Sequence, residues 1–284
     1  MHTCGMFRAL PLRPVRLAVP AVAASAVAMT MALTGCTSNS EAAVVAGPSA
    51  TATAGSAPTS APPSSAAPTS PSASPSQSPS PTPPPSLVNL KMGSKGDAVT
   101  LLQQKLTALG YWTGKVDGNF GDVTQQAVFA LQKAAGLSRS GTVTAETLAA
   151  LDAGTRPSAK STSGKLIEVD LAHGLLLFVS NGRVDYAIND STGGGYVYYQ
   201  DGERNVAITP KGKFNTYRVV DGPDRGPLGL LIRPRYFHEG FAIHGDDYVP
   251  AQPVSHGCVR ISEAAINWIW DNNLDPIGTT VWIY

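Results

Sequence analysis

The sequence predicts a mainly β domain covered by one or two helices and preceded by a small three-helix module. Three observations carry that expectation. Apolar residues recur at helical spacing between residues 87 and 153. From residue 165 onward the pattern changes to short apolar runs separated by turn residues. Before residue 87 lies a stretch so rich in Ser, Pro, Ala and Thr that it cannot bury enough apolar surface to offset the entropy of ordering it. A chain of 284 residues accommodates two modest domains beside such a segment. Its net charge of +1, with 14% charged residues, offers no basic face for nucleic acid, which is not an expected partner.

The first 35 residues read as an export signal. Arg8, Arg13 and Arg16 form a positive segment, and an apolar run follows from about Leu17 to Leu33. A short apolar core with basic flanks matches a signal peptide and not a spanning helix. The run ends in Leu33-Thr34-Gly35-Cys36, which resembles the lipobox of bacterial lipoproteins. That resemblance implies a lipidated Cys36 and an exported protein anchored to the outer face of the cytoplasmic membrane, reaching into the cell wall. The other reading is an ordinary signal peptide with a chance cysteine. Two or three acyl chains would suffice for stable anchoring. From Cys36 to Ser86 the tether favours polyproline II, and roughly fifty residues at about 3.1 Å each reach on the order of 100–150 Å.

Cysteine arithmetic then isolates one thiol. Cys4 goes with the signal and Cys36 with the lipid, leaving Cys258 alone in an oxidising compartment. A lone thiol there is either buried and inert or chemically used.

Within residues 87–153, Val99, Leu102, Leu106 and Leu109 recur at three- and four-residue steps, with Asp97 as expected N-cap and Gly110 as stop. A second helix begins near Asp122, carries Ala127, Val128, Leu131 and Ala135, and ends at Gly136. A third runs from Thr144 to Leu151. Between the first two lies the glycine-punctuated turn Val116-Asp117-Gly118-Asn119-Phe120-Gly121. The order G-x-K-G-D-x-V-x-x-L-Q, then V-D-G-N-F-G-D, then A-V-x-x-L-Q, resembles the peptidoglycan-binding-like domain family. The resemblance implies a non-catalytic module docking on wall glycan. For Tyr111, Trp112 and Phe120 two readings stand, a stacking groove for sugar rings or plain core.

Residues 154–164 read as a polar hinge. Beyond it Leu166–Asp170, Leu175–Val179 and Arg183–Ile188 read as strands, the last two joined by an Asn181-Gly182 turn. Further strands are expected near Lys213–Val220, Leu228–Ile232, Phe241–Ile243 and Val281–Tyr284. One helix over Glu263–Asn272, capped by Ser262, should turn Ile266, Ile269 and Trp270 inward.

The chemistry concentrates in Ser255-His256-Gly257-Cys258-Val259-Arg260 and in Ala242-Ile243-His244-Gly245. A thiol at neutral pH is mostly protonated and needs a base or positive field to attack. His256 stands two residues from the sulfur and would need a special turn to address it. His244 ends a strand and can arrive from across a sheet, so it is the expected base. Gly257 permits close backbone approach, and the N–H groups of Gly257 and Cys258 are candidate oxyanion donors. His256 is equally readable as a loop brace, and Arg260 as a substrate-carboxylate binder or a brace. Asp246 and Asp247 have two readings, carboxylates that orient a histidine or solvated loop carboxylates, and the second is preferred.

These strings, with Ser191-Thr192-Gly193 and Thr209-Pro210-Lys211-Gly212-Lys213-Phe214, resemble the L,D-transpeptidase catalytic domain of the YkuD type over about residues 165–284. The resemblance implies Cys258 as nucleophile, His244 as its base and the Gly245 carbonyl holding the imidazole, with Ser255, His256, Gly257 and Arg260 in the signature loop. Residues Gly193–Arg204 fit that pattern poorly. The family chemistry implies attack on a stem tetrapeptide, loss of D-alanine, a thioester, and a 3→3 cross-link. Water as acceptor would make it an L,D-carboxypeptidase. It also implies acylation by carbapenem-type β-lactams, and no cofactor or metal. Among rivals, a serine D,D-transpeptidase lacks its S-x-x-K and K-T-G strings. A zinc peptidase using His238, His244 and His256 lacks H-E-x-x-H. A catalytically inactive wall-binding lipoprotein is disfavoured by the intact cysteine and histidine.

Overall fold

A computed structural model describes residues 85–284; the expected signal segment, Cys36 and nearly all of the tether lie outside the described residues. What is described is mainly β with four helices.

The three helices of the first part are α1 (Asp97–Ala108), α2 (Asp122–Ala134) and α3 (Ala145–Asp152). Gly96, not Asp97, caps α1; Asp97 occupies the first turn, where a carboxylate complements the helix dipole. Thr144 caps α3 by accepting the Thr147 N–H. Two buried glutamines pin the connecting loops. The Gln103 amide oxygen accepts the Asp117 and Gly118 N–H groups at 3.0 and 2.9 Å, and its nitrogen reaches Asn119 O and Thr124 Oγ1. Gln132 does the same for Gly141 and Thr142. Tyr111, Trp112 and Phe120 are all buried. The core reading is therefore the correct one for these three aromatics: none is left facing solvent as a sugar platform.

The β domain follows. Strands β1 (Lys165–Asp170), β2 (Leu175–Ser180), β3 (Arg183–Asn189), β6 (Gly212–Asn215) and β12 (Thr280–Ile283) form one sheet in the order β3-β2-β1-β12-β6. A second sheet holds β7 (Arg218–Val219), β8 (Pro223–Gly226), β9 (Gly229–His238), β10 (Phe241–Asp246) and β11 (Val259–Ser262), ordered β11-β10-β9-β7 with β8 also on β9. A hairpin of β4 (Val197–Gln200) and β5 (Glu203–Val206) stands apart. Helix α4 (Glu263–Asp271) packs on β10, capped by Ser262 through the Ala265 N–H.

The run Leu175-Leu176-Leu177-Phe178-Val179 is buried throughout, and alternation explains it. Leu175, Leu177 and Val179 join a core with Leu102, Leu106 and Leu131 of the helices; Leu176 and Phe178 join a second core with Ile243, Val259, Ile261 and Ile266. The first sheet is thus the middle of three layers, apolar on both faces like a fully covered sheet.

Three expectations change here. Residues 154–164 are not a hinge. The Glu168 carboxylate accepts the Lys160 and Ser161 N–H groups, Arg156 donates to Val184 O, and Tyr111 donates to Thr155 O, so the connection is fastened along its length. The single strand expected over Lys213–Val220 is two, because the chain crosses between sheets at Thr216, whose hydroxyl donates to buried Asp275. Trp270 is only half-buried, under the Arg235 guanidinium; Ala265 takes the inward position beside Ile266 and Ile269.

Candidate active site

Register places the chemistry. Strands β10 and β11 are parallel, with Ile243 opposite Val259 and His244 opposite Arg260. Alternation puts Arg260 of β11 on the same side as His244 and Asp246 of β10, and Cys258 stands immediately before β11. All four line one cavity of about 590 Å³. The described part of the chain has one free thiol, Cys258, and it is half-buried.

The His244 Nδ1 lies 2.9 Å from the Gly245 carbonyl. That oxygen only accepts, so Nδ1 carries the proton and Nε2 holds the free lone pair. Burial pushes the His244 imidazole below its ordinary value, opposed by the Gly245 carbonyl and Asp246. Burial pushes the Cys258 thiol up, opposed by the Ala242 backbone and Arg260. Both shifts favour the neutral forms, thiol and imidazole, at rest.

The signature loop is built by its neighbours. Ser255 Oγ donates to Cys258 O at 2.6 Å and accepts the Gly257 N–H at 3.0 Å. The Gly257 N–H is thereby occupied, which corrects its expected place as an oxyanion donor; the Cys258 N–H remains the candidate. Gly257 is required by space and backbone angle. Its φ is +142°, and a Cβ would stand 2.5 Å from Phe241 and 2.8 Å from Ile208 O. Thr209 Oγ1 donates to Gly257 O at 2.8 Å and accepts the Gly193 N–H at 2.9 Å. Ser191 exchanges backbone hydrogen bonds with Arg260, and Ser255 donates to Thr192 O. The S-T-G, T-P and S-H-G-C strings therefore meet around one loop.

Gly245 has no room for a side chain either: a Cβ would lie 2.4 Å from Ile266. His256 lines the cavity with its ring edge-on to Tyr196 and Tyr198, centroids 5.4 and 4.7 Å away. Arg260 Nε lies 3.3 Å from Asp246 Oδ2, close enough for an ion pair but without hydrogen-bond alignment. Asp246 is thus paired at the site; Asp247 is exposed.

The β4–β5 hairpin escaped the sequence reading, although Tyr198 and Gln200 form one wall of the cavity. Its signal was Asp201-Gly202, both at positive φ (52° and 83°), a hairpin turn dipeptide. Also unforeseen was the opposite wall, where Arg218 and Tyr236 both donate to Asp224 at 2.6 and 2.9 Å.

Comparison with known proteins places this site in a class. Residues 164–283 match the L,D-transpeptidase catalytic domain, and residues 95–151 match a peptidoglycan binding domain. Together these define an enzyme acting on peptidoglycan. The crystal structure of the L,D-transpeptidase from Xylanimonas cellulosilytica is 49% identical, with 71% of this chain and 100% of that chain covered at a TM-score of 0.68. The chain belongs to the L,D-transpeptidase family. An L,D-transpeptidase from Stackebrandtia nassauensis is 21% identical over 69% of this chain and 95% of its own, with a TM-score of 0.40. The N-acetylmuramoyl-L-alanine amidase CwlM of Mycobacterium tuberculosis is 45% identical over 56 residues, 20% of this chain. The chain spans only 14% of that curated relative's length.

Proposed function

We propose that this L,D-transpeptidase forms 3→3 cross-links through a thioester on Cys258. What supports the reading most is that Cys258, immediately before β11, and His244 of β10 line one cavity, with Nδ1 engaged by Gly245 and Nε2 left as a base. The thiol proton passes to Nε2 as sulfur attacks the carbonyl carbon of the third stem residue. The tetrahedral intermediate holds its charge against the Cys258 N–H. It collapses by breaking the C–N bond, and the imidazolium returns its proton to the departing D-alanine amine. A side-chain amine of a second stem then attacks the thioester. Its proton goes to Nε2, the C–S bond breaks, and the thiol is restored.

Arg260 and His256 flank the sulfur from the cavity wall, and the Arg260 guanidinium suits a substrate carboxylate. Carbapenem-type β-lactams enter the same cavity and acylate Cys258. The first three helices carry the wall-binding role, using surface other than Tyr111, Trp112 and Phe120.

The function is tested by digesting purified wall incubated with and without the protein and identifying the linked stems. Dimers joined between third residues are expected. Shortened, unlinked stems alone would mark a carboxypeptidase instead.

Anchoring is part of the same proposal: Cys36 carries lipid and the tether lifts the enzyme into the wall. Cys36→Ala should move the protein from the membrane fraction to the soluble exported fraction. A variant that still sediments with membranes would rule out lipid at this residue.

A further inference from the structure

The connection from Asp247 to Cys258 joins the strand of the base to the strand of the nucleophile. Parallel strands need such a crossover, usually helical. Here it has no helix or strand of its own. An irregular segment is held only by what its backbone groups bond to, and buried carbonyls demand donors. Val249 and Ala251 are both buried, at 5% and 3% exposure.

Their donors come from the helical part of the chain. Gln126 of α2 donates from Nε2 to Val249 O at 2.9 Å, while its Oε1 accepts from Asn189 Nδ2 at 2.5 Å. Arg139, just beyond α2, donates from Nη1 to Ala251 O at 3.0 Å. The next stretch is gripped from the β domain. Ser191 Oγ donates to Gln252 O at 2.8 Å and accepts the Val254 N–H at 3.1 Å. Ser191 itself follows Asp190, whose carbonyl accepts from the buried Lys133 ammonium of α2 at 2.8 Å. Lys133 also donates to Gly174 O at 2.9 Å. Three side chains of α2 and the turn after it thus end on the loop or on the segment just after β3 that braces it.

We propose that the helical module is a positioning element for the acylation loop, with Gln126 and Arg139 as positioning residues that set where Cys258 stands relative to His244. The module then acts in the chemistry and not only as a wall anchor. This rests on Cys258 being the acylated residue.

The test uses the chain with four variants: Gln126→Glu, which keeps shape but removes the donor; Arg139→Ala; Arg139→Lys, which restores a cation; and Lys105→Ala. Lys105 pairs with Asp152 on the exposed surface of the same module and touches nothing in the loop. Two rates are read on folded protein: Cys258 acylation by a carbapenem, and Cys258 alkylation by iodoacetamide as a function of pH. Misplacement of a reacting group by about 1 Å can cost on the order of 100-fold. Gln126→Glu and Arg139→Ala should slow acylation about 10- to 100-fold. Their alkylation midpoint should fall toward the ordinary thiol value, because a loosened loop lets water reach the sulfur. Arg139→Lys should recover part of the rate, and Lys105→Ala should match the wild type. A role confined to stability would lower the melting temperature and leave the alkylation midpoint where it was. Clamp variants that stay folded, acylate within about twofold of the wild type and keep its midpoint would overturn the proposal. Failure of the wild type itself to be acylated removes the thioester reading instead, and the alkylation profile still decides the positioning.

Discussion

Cys258→Ala should abolish cross-linking and the mass gained on carbapenem exposure together, while the protein stays folded. Among the described residues no other cysteine exists to take the acyl group, and a methyl side chain cannot form a thioester. The structural cost is small. The sulfur's polar contacts are weak, among them 3.9 Å to Gly240 O, and it lines the cavity. Loss of stability should stay near about 1 kcal/mol, the ordinary cost of a point substitution. Intact-protein mass after carbapenem treatment, with a thermal melt beside it, checks both halves. A carbapenem adduct persisting on Cys258→Ala would place the nucleophile elsewhere and defeat the assignment.

His244→Gln should lower the acylation rate by about 10²- to 10⁴-fold, the usual worth of a positioned general base. The pH profile makes this specific. Burial lowers the His244 value, so the neutral base survives below the pH at which an exposed histidine would be protonated. The acid limb of the wild-type profile should therefore lie below the ordinary imidazole value of 6.5. In His244→Gln that limb should vanish. The remaining rate should climb with pH toward the thiol's own value, which burial has raised. Measuring acylation from about pH 5 to about pH 10 follows the acid limb through and the thiol limb as it rises. A wild-type acid limb above 6.5, or a His244→Gln profile of unchanged shape, would transfer the base role to another group.

How much of this was legible beforehand follows from the kind of signal each part carries. The four helices show in the sequence because amphipathic spacing and caps such as Thr144 and Ser262 are local. Cys258 and His244 stand out in the sequence because their chemistry is rare and their strings are short, and both line one cavity. The β4–β5 hairpin was missed although its Asp201-Gly202 turn is local, because its strands are four residues each and neither buries a face: Val197 and Tyr199 lie exposed where alternation would place core residues. The Gly257 N–H was misassigned because a backbone donor's availability depends on where Ser255 Oγ swings, which spacing does not reveal. Lys133 was invisible for the same reason. A lysine on a helix reads as solvated until the structure shows it 2% exposed, its ammonium spent on two carbonyls. The hinge over residues 154–164 misled because polar composition describes the side chains. What fixes that segment is backbone N–H donation to buried Glu168.

The doubly covered sheet has a consequence for dissecting this protein. Cutting the chain at residue 165 would strip the helices from Leu175, Leu177, Val179, Val184 and Ala187 and leave an oily flank open to water. A fragment prepared that way would be sticky and prone to self-association. Loss of turnover in it would report a ruined surface as readily as a missing wall anchor. Point changes that leave the flank covered are the sounder way to ask what the helices contribute.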